Sequence, residues 1–395
     1  MAIKKDSILF KMSLLSISLI LMIGPAIAAV FPVMKDSFVD QSLASIELIA
    51  TIPNFGILIF VMIGNVLTSL IGEKKTVMLG LIIALISGLV PVVSDSYLVI
   101  LVSRFFLGAG VGLINSLAVS LIVQLYDDEE QATMMGLQGA MSAIGSTILT
   151  LLVGFLASQG WQASFIVYAI ILIPIILFGL FVTLPKKQTV VSKESTSEVT
   201  ANVKPKLSIS MILLAVFAFF IYCFFMNLIV KMSTFVVDSG AGSLESAATA
   251  ASSITFVSII IGVIYGKIFK VFKRWVLPIG FFGISFSILL IVNGSSMVFV
   301  MLGAILAGIF FSIIAPYLFM MVGEVVPKES NSLAISILLI GINLGVFLSP
   351  TIISTLGQVL NLSDAGGNLL VSAIGLGIMG VISVLLVSKV NKKLN

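Results

Sequence analysis

Four ionisable residues interrupt or border runs that are otherwise apolar. Arg104 lies in ILVSRFFLGAGVGLI, Lys231 in FFMNLIVKMSTF, Glu47 just inside one apolar run and Glu245 at the start of another. A carboxylate kept from water holds its proton to higher pH than one in solution, which suits a group that must bind and release a proton under physiological conditions. An arginine at depth costs about 2.5–3.5 kcal/mol on insertion scales, so it needs an acid, a polar partner or a substrate. These residue types can exchange protons between an acid and a nearby cation. As a net positive cluster they can also receive an anionic or carboxylate-bearing molecule. Each has a plainer reading too: long basic side chains snorkel to headgroups, and acids near a helix N-terminus suit the dipole.

The uncharged polar residues in apolar runs form a second set. Tyr222 and Asn227 stand in AVFAFFIYCFFMN, and Asn54, Asn115, Gln138 and Asn343 are similarly placed. A polar group in hydrocarbon needs a partner, so these are candidates either for a substrate cavity or for hydrogen bonds between helices.

The elements that carry these residues follow from composition. Of 395 residues, 59% are hydrophobic and 10% charged, with a mean hydropathy of +1.25. Soluble domains are about a quarter charged, so this chain is solvated by lipid. Cutting it at turn and charge signals leaves twelve segments of about 20 residues, the length that crosses the hydrocarbon as a helix. They begin near Met12, Ser45, Thr76, Leu98, Thr133, Trp161, Ile209, Leu244, Val276, Met297, Ser332 and Gly367. Lys4, Lys5 and Lys11 before an apolar run ending Ala26-Ile27-Ala28 imitate a secretory signal. The run from Met12 to Met34 is too long for a signal core, however, and reads as a retained first helix. The chain has no histidine and a single cysteine, Cys223, which leaves no disulfide framework and no histidine-based metal site. No cofactor is expected.

Placing the N-terminus in the cytoplasm puts nearly all basic residues on one side, with Lys35 and Lys231 towards the other and Arg104 inside a helix. Both termini are then cytoplasmic, in a multi-pass protein of a bacterial cell membrane. The positive net charge serves topology, and no nucleic-acid partner is expected. The polar stretch Pro185 to Ser208, rich in Lys, Ser, Thr and Glu, reads as a cytoplasmic linker between six-helix halves at 1–184 and 209–395. Two halves of six helices are a repeat architecture common in secondary transporters. On this topology Arg104 lies about 10 Å below the outer surface, and Glu47 and Lys231 sit at a similar depth on helices two and seven.

Leu101, Arg104, Gly108 and Gly110 fit an L-x-x-R-x-x-x-G-x-G signature, and by it the chain resembles the major facilitator superfamily along essentially its whole length. Two other signatures are degraded. In NVLTSLIGEKK, aligned on Gly72, Ser69 and Leu70 stand where the family has Asp and Arg. In GSTILTLLVG, Gly145 to Gly154, Leu149-Thr150 replaces the Gly-Pro of exporters. The resemblance implies twelve helices in two pseudo-symmetric bundles and alternating access. It also implies a cavity lined by helices one, four, seven and ten, with Tyr222 and Asn227 reaching it. It places Arg104 near that cavity, assisting proton exchange with an acid, for which Glu47 is the first choice and Glu245 the second. Gly72, Gly108, Gly110, Gly145 and Gly154 are read as packing and gating glycines. Asn54, Asn115, Gln138, Tyr222, Asn227, Lys231 and Asn343 are read as cavity residues.

No nucleophile–base pair and no Walker loop is present, which argues against an intramembrane enzyme or an ATP-driven pump. The expected activity is proton-coupled export of a small hydrophobic or amphiphilic molecule by a monomer in contact with lipid. Uptake or uniport of an organic metabolite, or flipping of a lipid-like substrate, are the alternatives.

Overall fold

The computed structural model describes residues 7–126, 128–184, 208–294, 296–325 and 331–394. Ten segments are long and apolar enough to cross a membrane, and a bent pair, Ile8–Ile20 with Gly24–Ser37, qualifies as an eleventh. One of the ten, Leu244–Asn293, runs to 50 residues. As one helix it would be roughly 75 Å long against a hydrocarbon core of about 30 Å. It is instead two helices that part at the 3-10 turn Lys273–Trp275, where Lys273 takes a left-handed φ of 48°. The described residues therefore hold twelve helices.

In the first half these are α1 (Ile8–Ile20 and Gly24–Ser37), α2 (Leu43–Ile71), α3 (Glu73–Leu89), α4 (Tyr97–Leu125), α5 (Asp128–Leu156) and α6 (Trp161–Phe181). In the second they are α7 (Ile209–Asp238), α8 (Leu244–Phe272), α9 (Val276–Asn293), α10 (Met297–Val325), α11 (Asn331–Val359) and α12 (Ala365–Leu394). Most of the expected linker, 185–207, lies outside the described residues. Its last residue, Ser208, caps α7 by accepting from the Ser210 amide.

Several helices begin earlier than their apolar runs. α3 takes in Glu73 and α5 takes in Glu130, because acids stabilise a first turn. Glu130 lies in the first turn of α5 and pairs with Lys11 of α1 at 2.5 Å. The first helix, read as continuous from Met12 to Met34, is broken after Ile20 and bent by 53°. The Gly24-Pro25 pair follows the break, and proline cannot supply an amide to the preceding turn.

The two halves repeat the same packing. α2 packs on α4, α3 on α4, α1 on α5 and α3 on α6; correspondingly α8 packs on α10, α9 on α10, α7 on α11 and α9 on α12. Glycine contacts recur two hundred residues apart in the numbering. A Cβ on Gly145 would meet the Leu19 carbonyl oxygen at 2.1 Å, and one on Gly345 would meet that of Phe219 at 2.3 Å. Gly80 abuts Ile114 as Gly280 abuts Ile314. Small residues allow such backbone approach where no hydrophobic effect drives helices together. The halves meet along α2–α11, α5–α8 and α1–α7. The result is two pseudo-symmetric six-helix bundles.

Candidate functional site

Arg104 is best understood from α2. Pro53 lies inside that helix and has no amide to give, so the carbonyl of Ile49, four residues earlier, loses its helical partner. Arg104 Nε donates to the Ile49 oxygen at 3.0 Å. Gly108, one turn further along α4, lies against Pro53 itself: a Cβ there would stand 1.9 Å from the Pro53 oxygen. Gly112 meets Ile57 in the same register. The arginine–glycine spacing is thus the spacing at which α4 beds into α2. Gly110 points the other way, against the Gly80 oxygen of α3.

The second reach of Arg104 is into α1. Nη2 donates to the Gly24 oxygen at 2.7 Å, and Tyr168 of α6 donates to the neighbouring Ile23 oxygen at 3.3 Å. Both carbonyls lie at the break in α1; the Ile23 oxygen also accepts from the Ala26 amide at 3.3 Å, and the two side chains tie the bend to α4 and α6. The guanidinium carbon also lies 4.9 Å from the Tyr168 ring centroid and 5.8 Å from that of Phe165, within cation–π range. Arg104 is fully buried, and its Nη1 has no partner among the described residues. Its partners are backbone and aromatic rings; Glu47, the expected acid, is engaged elsewhere.

Glu47 pairs with Lys231. Oε1 lies 2.7 Å from Nζ, with side-chain exposures of 0% and 1%. The contact is a close ion pair in which neither carboxylate oxygen accepts a well-aligned hydrogen bond. It joins α2 of the first half to α7 of the second, where other links between the halves gather. Ser233 donates to the Ala28 oxygen at 2.5 Å and Thr51 to the Phe347 oxygen at 3.1 Å, while Phe55 stacks on Phe347 at 4.9 Å. Gly154 of α5 presses on Ala248 of α8, where a Cβ would fall 2.1 Å from the alanine methyl. These contacts close one end of the molecule, the end bearing the α1–α2 and α11–α12 connections.

Below the seal lies a cavity of about 830 Å³ between the halves, with walls from α1, α2, α4, α5, α7, α8, α10 and α11. Among the described residues none that lines it is charged. It opens at the opposite end, where α5 and α8 part: Thr147 and Thr255 still hydrogen-bond at 2.9 Å, but Gly136, Gly139 and Gly262 face open space. The anion-binding cluster expected from three neighbouring charges is absent, because Lys231 is neutralised by Glu47, Arg104 is held by carbonyls, and neither lines the cavity.

Of the expected cavity residues, Asn54, Asn115, Tyr222 and Asn343 line it, whereas Gln138, Asn227 and Lys231 do not. Asn227 is spent on α12, donating to the Asn368 oxygen at 3.0 Å and the Ser372 hydroxyl at 2.9 Å. Glu245 is exposed in the first turn of α8, where the dipole favours an acid. Gly72 packs against nothing within 4 Å; its φ of 86° makes it the turn between α2 and α3. Helices one, four, seven and ten do line the cavity, joined by α2, α5, α8 and α11. Thr51, Ser233 and Tyr168 escaped notice in the sequence. Tyr168 alone had a signal, a polar aromatic between apolar residues, and the two hydroxyls had none.

Solved structures of similar fold are transporters. The chain aligns over 97% of its length, and 97% of the other chain, with a bacterial homologue of the human lysosomal transporter Spinster in an inward-facing, occupied conformation (TM-score 0.74, 17% identity). A D-xylose–proton symporter aligns over 96% of this chain and 97% of its own at TM-score 0.71 and 14% identity. At such identities the likeness is one of fold. Among curated sequences it is similar to two TsgA homologues of Buchnera aphidicola. One, from subspecies Baizongia pistaciae, is 26% identical over 36% of this chain and 38% of its own length. The other, from subspecies Schizaphis graminum, is 27% identical over 46% of each, so the match spans less than half of either relative. The sequence pattern described as the Major Facilitator Superfamily matches residues 12–272 and again 214–394. A pattern that covers nearly the whole chain, on a fold that repeats its helix contacts in two halves, leaves one assignment: the chain belongs to the Major Facilitator Superfamily.

Proposed function

We propose that the protein exports a small uncharged apolar or amphiphilic molecule from the cell in exchange for protons, with Glu47 carrying the proton. Membership of the superfamily makes it a membrane transporter working by secondary transport. The direction, the proton and the substrate class are inferred. One observation carries the proposal: a cavity with no charged lining among the described residues, closed at one end by a buried Glu47–Lys231 pair that spans the two halves.

Protonating Glu47 removes its charge and leaves Lys231 buried without a counter-ion. Breaking a buried pair by removing one partner costs about 3–5 kcal/mol, and the seal that depends on it weakens accordingly. Lys231 is the charged group in contact with Glu47, and Arg104 is held on the Ile49 carbonyl one half-turn away. Protonation therefore favours the state in which the sealed end opens and the pair is hydrated; exchange is completed when a proton taken up there is released to the cytoplasm as the halves close and the pair re-forms. With basic loops in the cytoplasm the sealed end faces outward and the cavity faces inward, where an apolar molecule would be collected.

Proteoliposomes holding an uncharged lipophilic dye such as Nile red test this. An imposed pH gradient should drive the dye against its own gradient, and a protonophore should abolish the movement. Movement indifferent to the pH gradient would contradict the coupling, and accumulation in the opposite sense would identify uptake instead.

A further inference from the structure

The two walls of the cavity differ in chemistry. Its aromatic residues, Tyr222, Phe225 and Phe311, all come from α7 and α10 of the second half. Phe225 and Phe311 stack with centroids 3.6 Å apart and planes 2° from parallel, and Tyr222 meets Phe311 edge-on at 5.4 Å. The first half faces them with mostly apolar side chains, the hydroxyl residues Ser146 and Thr150, and two amides, Asn54 and Asn115. Asn54 donates its own amide to the Thr51 oxygen, and Asn343 of α11 likewise donates to Leu339, so each has an amide oxygen left for a ligand. Asn115 and the Tyr222 hydroxyl have no partner among the described residues.

From these observations we infer that the cavity binds an uncharged ring-bearing molecule with a hydrogen-bond donor: the ring lies against Tyr222 and Phe311, and its N–H or O–H is received by the amide oxygens of Asn115 and its neighbours. Aromatic faces favour offset or edge contacts with another ring, and a few placed polar groups in an apolar pocket fix orientation. The lack of any charged lining residue among those described disfavours a carboxylate or sulfonate, which would enter without a counter-charge. Each amide keeps at least one N–H as well, but its oxygen receives no donor among the described residues, and a donor on the ligand supplies it. This rests on reading the cavity as the substrate site, and it is independent of coupling and direction.

The test is equilibrium binding to the full chain in lipid nanodiscs at fixed pH with no gradient, with empty nanodiscs subtracted. Three fluorescent or competing probes share one skeleton: N-phenyl-1-naphthylamine, its 8-sulfonate, and phenyl 1-naphthyl ether, which lacks the N–H. The amine should bind saturably. The sulfonate should be weaker by at least about tenfold because its charge is unpaired, and the ether weaker by about tenfold because buried acceptors go unmet. Asn115→Leu should narrow the difference between amine and ether, and Phe311→Leu should weaken both alike. Sulfonate binding as tight as the amine, or amine and ether binding equally, would overturn the inference even if a variant failed to fold, since both comparisons use the unaltered protein. Binding as expected with no gradient-driven transport would leave the inference standing and defeat the coupling instead.

Discussion

Arg104 behaves as a clamp on two interrupted helices. It fills the vacancy that Pro53 leaves at Ile49 and holds the Gly24 carbonyl beside the break in α1. Hydrogen bonds from charged donors contribute about 1.5–3 kcal/mol each. Arg104→Ala is therefore expected to lower the thermal stability of the purified protein and to loosen the α1 break, read as faster amide hydrogen exchange around residues 21–26. Arg104→Lys keeps the charge but lacks the planar fork that reaches two carbonyls at once, so its exchange should lie between. Exchange at the break unchanged in Arg104→Ala would show that the clamp holds nothing. That Arg104 is buried and faces protein was legible from a charge among glycines. Its partners were not, because they depend on the register of α4 on α2 and on which carbonyl a proline in another helix sets free.

At the scale of elements, the glycines of α4 mark where it beds into α2 and α3. Gly108→Leu must push a side chain through the Pro53 backbone, where even a Cβ would fall at 1.9 Å. Overpacking costs about 1–3 kcal/mol, occasionally more, and loss of folded protein on size-exclusion chromatography is the expected result. The same change at Gly262, where a Cβ meets open space, should leave folding intact; equal damage at both sites would contradict the packing described. The second half shows what α4 looks like without the clamp. There Gly308 abuts Ile254 of α8 as Gly108 abuts Pro53 of α2, but Ala304 stands where Arg104 would, and no proline in α8 needs it. Twelve helices and their halves were legible because apolar runs of spanning length leave little choice in a bilayer. The break in α1 and the early starts of α3 and α5 were not. Gly-Pro within an apolar run reads equally as a kink or as a break, and acids at a helix start look like loop.

For the whole molecule, the central claim is that the Glu47–Lys231 pair holds one end of the two halves together until a proton separates them. The sequence placed three charges at one depth, but which two would meet was settled by the angle at which α2 faces α7 across the interface. Val39 and Leu360 are exposed residues at the sealed end, 84% and 52% accessible, one in each half. Spin labels at these two positions, with the distance between them read by pulsed electron paramagnetic resonance, test the claim most directly. In the unaltered protein the short distance should prevail at neutral pH and give way to a longer one on acidification. Glu47→Gln should show the longer distance at both. Glu47→Gln combined with Lys231→Met should restore the short distance at both, since an uncharged pair of similar volume often packs as well as a buried ion pair. A Glu47→Gln protein that keeps the short distance at neutral pH and still lengthens it on acidification would contradict the account, because the proton would then be acting somewhere else.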